Sequence, residues 1–429
     1  MTGRLLASVR TIAGRHRSLA TDTAYVLLVQ LLSRGVFNLA TILAANIFTV
    51  AVFSGYNYFL ISINLLGALL SMGLPVAATR AGALATDASV AQRADRAAAL
   101  AWLFAAVLVA ALLLGPVLIP LLEADEVRVA PAMLLFGAGA FALCGVSQSF
   151  LQGAGAFRST LGPVLVGSAA LAGGAGWAWV TRSEHPLILG TVLFYLLPAL
   201  LYLHRLSRSG LLGGRAAVRR PSGNRVRETI GVALPSLGNA IIFTGVNWWL
   251  ARSVIEHAAT PSAFPEFVIG MQWFSLALFL PLGLGQAIFP RYLRMAARDE
   301  LARAAVVRLA VGALLLGLTV AACGAALTPL LSLVYGRYEF SAAFVATVLS
   351  AAALSAPANL LGQSIIAARG AAAWLRTYST YLLLGVTLPV LAPPHTAFEA
   401  AVILCALNGA VLIAAAITIY AGGRRLRPG

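Results

Sequence analysis

Twelve times between residues 24 and 421 the chain runs for roughly 20 residues with almost no charge. A stretch of that length and character is what an α-helix needs to cross a bilayer, where every backbone N–H and C=O must be satisfied within the segment itself. The stretches are residues 24–48, 52–74, 97–122, 129–151, 160–181, 186–204, 229–253, 265–290, 306–334, 342–367, 377–392 and 398–421, the eleventh being the shortest. With 60% hydrophobic and 10% charged residues, a soluble fold of 429 residues is excluded. The sequence predicts an all-α polytopic membrane protein with about twelve transmembrane helices.

All 30 basic residues are arginines, and the formal net charge is +16. Such a charge could be mistaken for a nucleic-acid footprint, but the arginines fall between the apolar stretches and alternate in density from one side to the other. With the N-terminus in the cytoplasm, 25 arginines lie on that side and four outside, namely Arg128, Arg182, Arg252 and Arg337, leaving Arg34 within a span. Both termini are therefore expected in the cytoplasm, and no nucleic-acid partner is needed. Arg4, Arg10, Arg15 and Arg17 precede a first apolar run of about 25 residues, too long for a cleavable signal segment, so that run is expected to stay as the first helix. Cys144, Cys323 and Cys405 lie in apolar runs without metal-binding spacing and are expected to be buried free thiols. Neither a metal nor a cofactor is called for.

The longest hydrophilic connection follows the sixth stretch and contains RRPSGNR. It divides the chain into a basic cytoplasmic N-terminus (1–23), a six-helix lobe (24–204), a basic cytoplasmic linker (205–228), a second six-helix lobe (229–421) and a basic tail (422–429). The halves share an internal register. GYNYF at Gly55 answers GMQWF at Gly270, an offset of 215, and at that offset stand Pro75 and Pro290, Arg93 and Arg308, Gln148-Ser149 and Gln363-Ser364, and Gly155 and Gly370. Two halves with the same even number of helices form parallel repeats about an axis normal to the membrane.

Within the spans the polar residues are patterned. Gln30, Arg34, Asn38 and Thr41 form one stripe along the first helix, and an arginine about ten residues into a span lies some 15 Å deep. Asn57 and Asn64, with Ser54 and Ser71, make a second stripe; Gln272, Ser275 and Gln286 mark the eighth helix, and Thr244 and Asn247 the seventh. Stripes of this kind belong against protein or a water-filled cavity. Interhelical hydrogen bonding is the alternative for each Asn and Gln, and a static or snorkelling position is the alternative for Arg34, which has no Asp or Glu well inside any span to neutralise it. Tyr56, Tyr58, Trp248, Trp249 and Trp273 stand near these stripes and would suit sugar rings, or else belong to interfacial belts.

LLSRGVF in the first helix, GLPVAATR (73–80), LQGAGAFR (151–158) and IFPRYL (288–293) resemble the Wzx-type polysaccharide flippases of the multidrug/oligosaccharidyl-lipid/polysaccharide exporter superfamily. The resemblance spans nearly the whole chain. It implies two six-helix lobes around a central cavity that opens to alternate sides, lined partly by the first, second, seventh and eighth helices. It also implies a role for the Ser33-Arg34 pair, whose arginine would meet a substrate pyrophosphate, with Arg80 and Arg291 at the cytoplasmic mouth as weaker candidates.

The expected function is translocation of undecaprenyl-diphosphate-linked oligosaccharide from the cytoplasmic to the outer leaflet of the cell membrane. The expected partners are that lipid-linked oligosaccharide and the bilayer, with a polysaccharide polymerase and glycosyltransferases as candidate associates. An enzyme is not expected: no P-loop, HExxH or nucleophile triad is present, and the outer connections are short. The alternatives are a multidrug extruder of the same superfamily, which would typically carry a membrane-embedded carboxylate, a membrane glycosyltransferase or polymerase, and a non-transporting scaffold.

Overall fold

The computed structural model describes residues 2–85, 89–122, 131–209, 220–297 and 301–421. Fifteen helices account for nearly all of them: α1 (Thr2–Ile47), α2 (Val50–Ser71), α3 (Leu74–Ala83), α4 (Val90–Leu122), α5 (Pro131–Gly153), α6 (Arg158–Thr181), α7 (His185–Arg208), α8 (Gly223–His257), α9 (Ala263–Ala277), α10 (Phe279–Ala297), α11 (Arg303–Ala326), α12 (Thr328–Tyr335), α13 (Ala342–Arg369), α14 (Ala371–Leu391) and α15 (Ala397–Ala421). Among the described residues nine of these are long and apolar enough to cross a membrane, and α9 with α10, bent by 46°, makes a tenth. The two remaining apolar stretches of the sequence fall on α4 and α14. Much of the linker, residues 210–219, and the tail, residues 422–429, lie outside the described residues, as does Arg128.

Two apolar stretches, the eighth and the ninth, are broken into two helices each, and the second ends at a break from which α3 starts. That break falls at Met72 and Gly73, with φ of +46° and +66°; only glycine takes the latter conformation without strain, and a Cβ there would stand 2.1 Å from the Ala233 carbonyl oxygen of α8. The eighth breaks at Leu278, and the ninth at Leu327, just before Pro329 in α12.

The two halves pack by the same plan. In the first, α6 and α5 pack on α7, α1 on α6, and α2 and α3 on α5; in the second, α14 and α13 pack on α15, α8 on α14, and α9 and α10 on α13. Gly155 and Gly370 carry the equivalence into the turns, with φ of +77° and +84° after α5 and α13. The halves meet where α1 packs against α9 and α10, and where α2, α3 and α4 pack against α8.

Leu39, Leu113, Trp177, Val180, Leu333, Leu391 and Ile417 point outward, as expected for a surface facing lipid rather than water. The three cysteines are free, but none is fully buried: Cys144 and Cys405 are half-buried and Cys323 is exposed. It sits on α11, whose chief partner is α13, so much of that helix faces outward.

Candidate functional site

The stripe on α1 meets the broken pair α9 and α10. The Arg34 guanidinium donates through Nε to Gln30 Oε1 (2.9 Å) and through Nη1 to Ser275 Oγ (2.8 Å) and to the Ser275 carbonyl oxygen. Gln30 Nε2 in turn donates to Gln286 Oε1 at 3.0 Å. A polar chain thus runs from α10 through α1 to α9 and joins the two halves.

The break at Leu278 explains the choice of partner. Ser275 occupies the last turn of α9, where carbonyls run out of intrahelical donors and the helix dipole is negative, so a guanidinium can be held without a carboxylate. Other arginines do the same: Arg337 donates to the Phe48 carbonyl beyond α1 (2.6 Å), Arg96 to the Leu84 carbonyl at the end of α3 (2.9 Å), and Arg369 to the Thr418 carbonyl in the last turn of α15 (3.2 Å). A chain with 30 arginines and 14 acids neutralises part of its charge on helix ends.

The remaining predicted residues divide. Asn38 donates to the Arg34 carbonyl, Thr41 to Phe37, Asn57 to Phe53 and Asn247 to Phe243, each one turn back along its own helix. Thr41 and Asn57 are fully buried, while Asn64 is exposed. Asn57 Oδ1 is buried with no partner among the described residues, and Asn247 Oδ1 accepts from the Tyr381 hydroxyl at 3.4 Å. Gln272 is half-buried on α9, one turn before Ser275. So Gln30 and Arg34 are brought together with Ser275 and Gln286, Gln272 lies adjacent along α9, and the stripe does not face one open space along its length.

The aromatic residues mostly serve the packing of each half. Tyr56 pairs with the Thr191 hydroxyl at 3.1 Å, and Trp273 packs edge-on against Phe340, with ring centroids 4.6 Å apart, beside Tyr335 and Phe344. Trp248 and Trp249 are half-buried, the former under the Arg252 guanidinium.

A second contact between the halves lies at the arginine-rich end. Asp95 of α4 accepts from the backbone N–H and the Oγ of Ser222, both at 2.8 Å, just before α8, and stands 3.7 Å from Arg225. The Ser222 N–H, more than the charge of Arg225, holds the Asp95 carboxyl below its ordinary range. Arg80, exposed in the last turn of α3, lies 3.9 Å from Glu228. The cleft between these helices holds only about 30 Å³, little more than one water. Arg291 is half-buried on α10. Asp95 and Ser222 belong to no motif in the sequence; the signal for them is the rarity of acids in the basic connections.

No protein-family model matches the chain, and no curated protein matches it in sequence. Solved structures do. A mutant of the Vibrio cholerae MATE transporter VcmN superposes with a TM-score of 0.73 at 14% identity, over 95% of this chain and 96% of that one. The fold is that of the MATE transporters. A MATE protein in its bent conformation matches with a TM-score of 0.70 at 14% identity, covering 95% of this chain and 94% of that one. An outward-facing multidrug resistance MATE family transporter of the MOP superfamily matches at 0.62 and 16%, over 94% of each chain. In this fold the two halves meet where α1, α2 and α3 face α8, α9 and α10.

Proposed function

We propose that the chain is a transporter of the MOP superfamily, with twelve spans in two six-helix lobes and both termini in the cytoplasm, and that it is not an enzyme. It moves a lipid-linked oligosaccharide bearing a diphosphate, of the undecaprenyl-diphosphate class, from the cytoplasmic to the outer leaflet by alternating access between the lobes.

One observation carries this reading: Arg34 is a permanent cation within a span, and all its described partners are neutral oxygens. A charge so placed is costly, and ionisable residues kept inside spans despite that cost mark functional sites. A planar guanidinium binds phosphate oxygens in a two-pronged manner, and an arriving diphosphate supplies the counter-charge that no carboxylate among the described residues provides. Ser275 and Gln30, itself bonded to Gln286, hold the guanidinium until then, and Gln272, Asn38, Thr41, Asn57, Asn64 and Asn247 are the candidate polar surface for sugar as the lobes separate. Arg80 and Arg291 would meet the substrate at the cytoplasmic mouth.

The second reading, a multidrug extruder, is favoured by the description of one structural neighbour as a multidrug resistance transporter. Deleting the gene separates the two. Accumulation of a lipid-diphosphate-linked oligosaccharide, identified by mass spectrometry of the cell lipids, is expected. Unchanged lipid intermediates together with heightened sensitivity to cationic drugs would overturn the flippase reading.

A further inference from the structure

We infer that the arginine-rich end of the first half carries a binding site for the phosphate headgroup of an anionic glycerophospholipid, apart from the contact between the halves. A recess of about 500 Å³ opens where the end of α5, the start of α6 and the end of α7 converge. Its polar wall is Ser159, His204, Arg205 and Arg208, and its apolar floor is Leu151 and Ala156.

The α7 residues share one face, since Arg208 lies three positions beyond Arg205 and four beyond His204. Arg205 is half-buried and donates through Nη1 to the Ser159 carbonyl oxygen, which fixes its guanidinium at the recess wall. Arg208 is exposed and has neither an ion pair nor a side-chain hydrogen bond among the described residues, and no acid lines the recess.

Basic residues in the last turn of a helix complement its dipole, and arginines gather on one side of a membrane protein in any case. Neither tendency produces a recess with an apolar floor. The site lies at the depth of lipid headgroups: at 1.5 Å per residue, the 24 residues of α7 span roughly 36 Å, slightly more than the hydrocarbon thickness of about 30 Å. Basic pockets between spans at that level suit anionic lipid headgroups. The same wall chemistry would accept a free phosphate ester, but Leu151 and Ala156 give such a ligand nothing to bury, whereas the glycerol and first methylenes of a lipid would cover them.

Native mass spectrometry of the detergent-solubilised full chain, titrated with phosphatidylglycerol, phosphatidylcholine or soluble glycerol phosphate, tests this. The expected result is one retained phosphatidylglycerol, no comparable phosphatidylcholine, and displacement by glycerol phosphate only at far higher concentration. Arg208→Gln and His204→Gln should each weaken retention, Arg208→Gln by about fivefold or more, whereas Arg376→Gln, an exposed arginine of α14 with the same change of charge, should leave it unaltered. Equal loss in Arg208→Gln and Arg376→Gln would mean diffuse charge attraction and overturn the site. Glycerol phosphate competing as well as the lipid would overturn the lipid assignment.

Discussion

Replacing Asp95 by Ala should loosen the arginine-rich side of the molecule, and the structure sets the size of the effect. Two hydrogen bonds of 2.8 Å from Ser222 end on a carboxylate that also faces Arg225 at 3.7 Å. A hydrogen bond to an ionised group contributes about 1.5–3 kcal/mol when shielded, and an exposed ion pair about 0.2–1. The Asp95 side chain is 30% exposed, so water replaces part of what is lost. The net contribution to holding α4 against the start of α8 is then roughly 1–2 kcal/mol, equivalent to a 5–30-fold change in the open-to-closed ratio. Ser222→Ala removes one of the two bonds and should shift the ratio by about threefold. The assay is labelling of Ala77→Cys, at the wall of the small cleft between α3, α4 and α8, by a membrane-impermeant maleimide in inside-out vesicles, read by mass spectrometry of that peptide. Because the Asp95 carboxyl is held below its ordinary value, the contact is fully present above about pH 4 and is lost only as pH falls through the lower folded value. Labelling, divided by the rate of a free thiol with the same maleimide at each pH because only the thiolate reacts, should therefore be flat from pH 8 to about pH 5 and rise in acid. Equal labelling rates in the unmodified chain, Asp95→Ala and Ser222→Ala would refute the assignment of this contact as a latch.

Three further outcomes are expected. Gly153→Ala places a methyl group 2.2 Å from the Thr79 carbonyl oxygen, which forces α5 from α3 at about 1–3 kcal/mol, while Gly139→Ala meets only the end of Leu108 at 3.8 Å; thermal unfolding in detergent should separate them, and equal midpoints would contradict the close approach. Reporters fused at Arg215 and Arg427 should both report cytoplasm and one at Ala258 the outside, and agreement between Arg215 and Ala258 would break the six-plus-six division. In reconstituted vesicles, transport should follow membrane potential or substrate gradient; strict dependence on a pH gradient would contradict coupling without a carboxylate well inside a span.

The helices were legible because lipid leaves a chain no other way to satisfy its backbone. The breaks were not. Pro75 and Pro329 begin new helices after Gly73 and Leu327, yet Pro163, Pro198, Pro235, Pro357 and Pro389 sit inside continuous ones, so a proline in an apolar run does not by itself announce which outcome follows. The Gln30–Arg34 stripe and the Gln272–Ser275–Gln286 set were visible as spacings, but their meeting was hidden, because it joins distant segments and one acceptor for Arg34 is a helix-terminal carbonyl that has no letter in a sequence. The bonds that Thr41 and Asn57 make to their own preceding turns were equally hidden, because a polar side chain bonded within its helix has the same spacing as one that reaches across a cavity.

The central claim rests on Arg34, and the direct measurement is surface polysaccharide in a deletion strain carrying each Arg34 variant, normalised to the amount of protein in the membrane. Arg34→Ala gives up hydrogen bonds to Gln30 Oε1, Ser275 Oγ and the Ser275 carbonyl, roughly 0.5–1.5 kcal/mol each, offset in part because a charge is no longer held out of water, so folding is expected to survive. The account predicts normal protein levels with export abolished, partial export for Arg34→Lys, where charge remains but the two-pronged geometry does not, and the lowest export for Arg34→Glu. Full polymer export by Arg34→Ala at normal abundance would show that the guanidinium only braces α1 against the end of α9, and would contradict the proposed handling of a diphosphate.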